Sequence, residues 1–275
     1  MVNQAVAIDA EYWIKNHSKN KEAIAAAFSK AAHTYDRSAE FQRQVADHLM
    51  SYLPIKLDGV RVLDIGCGTG YCSEKLLNRG ATVVAFDLAH AMLVKAKERC
   101  GDYNISYVQG DAEDLPFDVN EFDVVISSLA LQWCQDLSVP LAEMKRVTEN
   151  KGKVIFSTLL DGSLFELKKA WSKVDIYQHV NEFITLSAVN LALAQSENHS
   201  YQLDCIPVEM MYSSATALMK DLKGIGATHL PSGRQSGLLS KQKLLAVEEA
   251  YQMFKNEFNR LPATYQVGYG VIRND

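Results

Sequence analysis

Between residues 62 and 77 the chain reads VLDIGCGTGYCSEKLL: an apolar run, an acid at Asp64, glycines at Gly66, Gly68 and Gly70, then a stretch of helix formers. Alternate glycines let a backbone turn sharply and approach a ligand with no Cβ in the way. At a strand-to-helix junction of an open α/β sheet, such a ligand sits beyond the carboxyl ends of the strands. The spacing excludes two phosphate-binding loops. A dinucleotide site wants G-x-G-x-x-G, and counting from Gly66 the third glycine falls on Tyr71. No G-x-x-x-x-G-K-[ST] occurs in the chain either. The observed D-x-G-x-G-x-G suits a nucleoside with an amino-acid tail better than a pyrophosphate.

Two more acids stand at strand ends. Asp87 closes TVVAFD, 21 residues past Gly66, and Asp111 lies in GDAEDLP after the run ISYVQG. The elements that must position them are short Val/Ile-rich runs alternating with helical patterns. RVLDIG precedes a helix over 71–79 and TVVAFD one over 89–100; FDVVISS is followed by a helix near 138–149, then by KGKVIFSTLL. This alternation predicts a doubly wound, mostly parallel sheet. After Leu160 the spacing predicts helices over 163–177 and in TLSAVNLALAQSE, then the alternating strand YQLDCIPVEMMY. Helices in SATALMKDLKGIG and KQKLLAVEEAYQMFKNEF and a last strand, YQVGYGVIR, make seven strands. Residues 21–53, free of Gly and Pro, read as one or two helices. The expected organisation is a flexible leader at 1–20, an N-terminal helical lid at 21–55, and an α/β domain at 56–275 with helical insertions about 161–200 and 223–260.

The net charge of −5 argues against a partner held by a broad basic surface, such as nucleic acid. No apolar run is long enough to span a membrane, and the first twenty residues lack the pattern of a secretory signal. Cys67, Cys72, Cys100, Cys134 and Cys205 show no paired spacing, so neither a metal centre nor a disulfide framework is expected; reduced thiols in a cytoplasmic protein fit.

The segment VLDIGCGTG, with Asp87 and Asp111 in register over residues 60–160, resembles the class I S-adenosylmethionine-dependent methyltransferases. The resemblance implies a Rossmann-like fold and S-adenosylmethionine as cofactor, with S-adenosylhomocysteine as product. It implies that Asp64, Gly66, Cys67, Gly68 and Gly70 form the cofactor loop and that Asp87 accepts from two ribose hydroxyls. Leu88 and Met92 would sandwich the adenine, Asp111 accept from its amino group and the Ala112 N–H meet a ring nitrogen. Leu129, after the fourth strand, would offer backbone to the methionine end, with Gln42 reaching the same ligand.

Further stretches, AIAAAFSKAAHTYDRSAEFQRQVADHL, SLALQWCQDLSVPLAEMKRV, GSLFELKKAW and LKGIGATHLPSGR, resemble the malonyl-[acyl-carrier protein] O-methyltransferases of biotin synthesis over 22–273. The implied acceptor is the carboxylate of a malonyl thioester on acyl carrier protein or coenzyme A. A carboxyl of pKa about 4 is ionised at neutral pH, so no general base is required. Phe28, Tyr35 and Gln42 recur every seven residues, one face of a lid helix aimed at the cofactor. Tyr35, Gln132 and Trp133 are candidates beside the acceptor, and Lys223, His229 and Arg234 candidates for holding it under a mobile loop. Lys168, Lys169, Lys173, Lys241 and Lys243 are candidates for docking an acidic carrier. Two alternatives stay open: a same-fold enzyme acting on a quinone precursor or free acid, and a non-catalytic cofactor-binding subunit.

Overall fold

The computed structural model describes residues 20–196, 200–227 and 240–274. Its centre is a seven-stranded sheet in the order β3-β2-β1-β4-β5-β7-β6. The strands are β1 (Arg61–Ile65), β2 (Thr82–Asp87), β3 (Ile105–Gln109), β4 (Phe122–Ser128), β5 (Thr148–Leu160), β6 (Tyr201–Tyr212) and β7 (Leu261–Arg273). Neighbours from β3 to β5 pair in parallel, and β7 runs antiparallel to both β5 and β6. The resemblance to the class I methyltransferase architecture is thereby met in strand number and topology.

The central strands are apolar on both faces because helices cover both. Val62, Val83, Val124 and Ile155 belong to one core, under α3 (Glu40–Met50), α4 (Tyr71–Asn78) and α7 (Phe165–Ser172). Their neighbours Leu63, Val125 and Val154 belong to the other, under α6 (Ser138–Val147) and α8 (Leu186–Gln195). Successive side chains in a strand point to opposite faces, which explains this division. The edge strand β6 buries no residue fully and keeps the exposed-to-intermediate alternation of a one-sided strand.

The chain order reverses direction between β1 and β4, and loops leaving the carboxyl ends of β1, β2, β3 and β4 open there. α5 (His90–Cys100) follows β2, and α9 (Ala215–Gly224) and α10 (Lys241–Tyr251) complete the shell.

The lid departs from a single helix. It is α1 over residues 20–31, a turn, the one-turn α2 (Tyr35–Ser38) and α3. At the break the Thr34 hydroxyl donates to the Ala31 carbonyl (3.1 Å) and lies 2.9 Å from that of Gly224, a side-chain-to-backbone pattern that competes with helix continuation. The helix expected over 163–177 likewise ends at Ser172, where Asp175 accepts from the Tyr177 N–H in a local turn.

Candidate active site

The glycine loop works through its φ angles. Gly66, Gly68 and Gly70 have φ of 67°, 54° and 85°, which side chains rarely adopt. A Cβ on Gly66 would stand 2.2 Å from the Ala130 Cβ, whereas one on Gly68 would meet nothing within 4 Å. Gly66 is thus small so that the loop after β4 can pack on it, and Gly68 leaves space open to a ligand. Asp87 holds the loop in place: one carboxylate oxygen accepts from the Gly68 N–H (2.9 Å), the other from the Ala89 N–H at the start of α5 (2.8 Å). Asp64, behind the loop, accepts from the Ser73 hydroxyl at 2.6 Å. Burial raises both acids, Asp87 to about 6 and Asp64, which also feels the Asp87 charge, to about 7.

Around this loop lies a cleft. It brings together Gly66, Gly68, Asp87, Leu88, Met92, Asp111, Ala112 and Leu129, all named from sequence. A second, smaller hollow takes in Gln42, Asp64 and Cys67 with Gly66 and Gly68. Gly70 lines neither; it is the left-handed cap at the start of α4. Largely apolar walls, with open space where Gly68 lacks its Cβ and acids at Asp87 and Asp111 for hydroxyl or amine donors, fit a nucleoside with an amino-acid tail.

Sequence reading missed Lys21. From α1 its ammonium reaches Asp111 at 2.5 Å and also pairs with Glu113, so the lid is tied across the Asp111 end of the cleft. Burial alone would lower Lys21, but the two carboxylates outweigh it and keep it charged. The middle of the lid is pinned by Asp36, which accepts from Thr69 of the glycine loop and pairs with Arg99 of α5, each at 2.6 Å. A lysine in a helical leader carries no spacing signal; only the fold sets it opposite Asp111.

A third and much larger cleft, about 640 Å³, adjoins the first. Phe28, Tyr35, Leu129 and Trp133 line both, so the junction between them is walled by these four. Phe28, Tyr35 and Gln42 come from three separate helices rather than one face, yet all reach this cleft. Leu129 has φ of 51°, its N–H donates to Ser157, and its carbonyl accepts from Gln132 Nε2 at 2.6 Å. Burial, then the charges of Asp87 and Asp36, push the Tyr35 hydroxyl far up, so it stays protonated. Cys67, Cys72 and Cys134 are likewise pushed up by burial and stay thiols, unsuited to nucleophilic work.

Lys223 lines the large cleft with Lys30 and Lys220, all three exposed at its rim. His229 and Arg234 lie outside the described residues. Four of the five lysines expected to dock a carrier have neighbours of their own. Lys168 pairs with Glu182, Lys243 with Asp175, Lys173 reaches the Met253 sulfur, and Lys169 lies 6.0 Å from the Phe254 ring.

Residues 63–156 match the family model of a methyltransferase domain. The malonyl-[acyl-carrier protein] O-methyltransferase of Serratia marcescens is 42% identical over 94% of this chain and 97% of its own length. The chain belongs to the malonyl-[acyl-carrier protein] O-methyltransferase family. Another relative, the biotin biosynthesis bifunctional protein BioHC of Cellvibrio japonicus, is 38% identical over 92% of this chain, which matches 50% of that longer protein. In fold, this family member is similar to phosphoethanolamine N-methyltransferase 2 of Haemonchus contortus, solved with phosphomonomethylethanolamine and S-adenosylhomocysteine. That likeness has a TM-score of 0.53 and 20% identity, over 84% of this chain and 52% of that one. Among the described residues, no helix is long and apolar enough to cross a membrane.

Proposed function

We propose that this methyltransferase moves a methyl group from S-adenosylmethionine to the free carboxylate of a malonyl thioester carried by acyl carrier protein, an early step of biotin synthesis in the cytoplasm. When bound, S-adenosylmethionine supplies an electrophilic methyl group on a sulfonium. Asp87, Asp111, Ala112, Leu88 and Met92 would hold its adenosine, and Asp64, Gln42 and the glycine loop its amino-acid end.

The observation that carries the reading is the junction of two clefts at Phe28, Tyr35, Leu129 and Trp133. One cleft is lined by the glycine loop, Asp87 and Asp111. The other is far larger than a three-carbon acid needs and has room for a long arm. The malonyl carboxylate arrives ionised, so the chain supplies no base. It supplies alignment and exclusion of water, since opposite charges that cancel in the transition state gain from a dry, apolar wall. Phe28, Leu129 and Trp133 are that wall, and Tyr35, held protonated, is a donor for one carboxylate oxygen. Lys30, Lys220 and Lys223 at the rim complement the acidic surface of a carrier.

The test is transfer of labelled methyl with malonyl-acyl carrier protein, malonyl-coenzyme A and free malonate offered in parallel. Label on the carrier-bound acid, released by mild ester hydrolysis, is the expected result. Label on free malonate alone, or on none of the three while S-adenosylhomocysteine still binds, overturns the acceptor.

A further inference from the structure

One wall of the acceptor cleft comes from the insertion after α7. There His179 lies flat on Trp171, ring centroids 3.6 Å apart and planes within 12°. Its Nε2 is 2.7 Å from Asp175 Oδ1, and the other Asp175 oxygen is 2.7 Å from the Lys243 ammonium. Burial would raise Asp175, but hydrogen bonds from Lys243 and His179 bring it down to about 2. An ionised Asp175 accepts the Nε2–H, which in a neutral imidazole leaves Nδ1 as a lone-pair acceptor. Nδ1 has no hydrogen-bond partner among the described residues.

Three more acceptors on the same cleft are unmet, the Gln42 Oε1 beside the lid among them. Asn181 Oδ1 and Gln132 Oε1 are buried and without a hydrogen-bond partner among the described residues. Gln132 is fixed in that sense because its Nε2 already donates to Leu129. Buried polar groups are paired in the great majority of cases, so unmet acceptors on one cleft point to a ligand rich in N–H and O–H groups. A malonyl group bears no such donor. The pantetheine arm that carries it has two amide N–H groups and a hydroxyl.

We propose that His179, Asn181 and Gln132 form an arm-reading wall that accepts hydrogen bonds from the amide and hydroxyl groups of a pantetheine-type thioester, with Asp175 as the positioning residue that sets the His179 tautomer. This rests on the acceptor reading above and deepens it: the enzyme distinguishes acceptors by the arm, not by the acid. A remote contact of this kind binds ground and transition states alike, so its loss raises KM and spares kcat.

The experiment compares malonyl-pantetheine with the S-ethyl malonyl thioester, which shares the reacting acid and lacks the amides. In the wild type kcat/KM favours malonyl-pantetheine. In Asn181→Leu and His179→Phe that preference falls by roughly five- to fifty-fold, the effect of one buried hydrogen bond, through KM for malonyl-pantetheine. Asp175→Asn lowers the preference in the same direction, and Asp175→Glu restores part of it. Equal losses on both thioesters, or no loss on either, overturn the wall. A wild type that methylates neither thioester, nor the carrier-bound acid, overturns the acceptor reading instead.

Discussion

The rings of Phe28 and Trp133 meet edge to face, centroids 5.3 Å apart and planes at 88°. Phe28 belongs to the lid and Trp133 to the short turn after β4, so this contact closes the lid over the line where the two clefts join. Aromatic pairs of this geometry are worth about 0.5–1.5 kcal/mol beyond the area they bury. A double-mutant cycle of Phe28→Ala and Trp133→Ala, read as kcat/KM for the malonyl acceptor, should show coupling in that range. Coupling near zero would mean the rings pack without closing the site.

Lys21 bound to Asp111 ties the start of the lid across the cleft beyond β3. Lys21→Met should leave the sheet intact and let S-adenosylhomocysteine escape faster by roughly tenfold, the effect of one charge-assisted hydrogen bond. Stopped-flow displacement measures this. An unchanged release rate would show that the tie does not govern cofactor exit.

Gly66 and Gly68 should fail in different ways when changed to alanine. At Gly66 the new methyl collides with Ala130 at a left-handed φ, so stability should fall by roughly 2–5 kcal/mol. At Gly68 the methyl meets open space, so the cost is roughly 1–2 kcal/mol of backbone strain, yet cofactor binding should be lost. Thermal denaturation beside calorimetric titration separates the two. Equal loss of binding at equal stability would contradict this division.

Asp87 and Asp64 have folded pKa values raised by burial to about 6 and about 7. A raised carboxyl favours the fold below its unfolded value and loses that contribution as pH rises through the folded one. The free protein therefore carries both acids at a cost at pH 8. Ligand donors and positive charge relieve that cost only when the acids are ionised. The rise in Tm on adding S-adenosylhomocysteine should be larger at pH 8 than at pH 5.5, and Asp87→Asn should flatten the difference. The same rise at both pH values would rule the acids out as the binding switch.

The glycine loop, Asp87, Asp111 and the strands between them were legible because each depends on neighbours a few residues away. A tight turn needs glycines at alternate positions, and a strand buried on both faces needs a run of Val and Ile. Two groups of contacts were not legible, because they join segments far apart in the chain. Lys21 and Asp111 are 90 positions apart, and Asp175 and Lys243 are 68. The sevenfold recurrence of Phe28, Tyr35 and Gln42 brought the right residues forward for a partly mistaken reason. They share a cleft because Thr34 breaks the helix and the three pieces converge on it. The local sequence thus determined the sheet and the glycine loop after β1, since short-range sterics and hydrophobic period are enough for both. Only the packing of the lid and the insertion against that sheet decided the acceptor side, because side chains converge on a cleft through long-range contacts that no local spacing encodes.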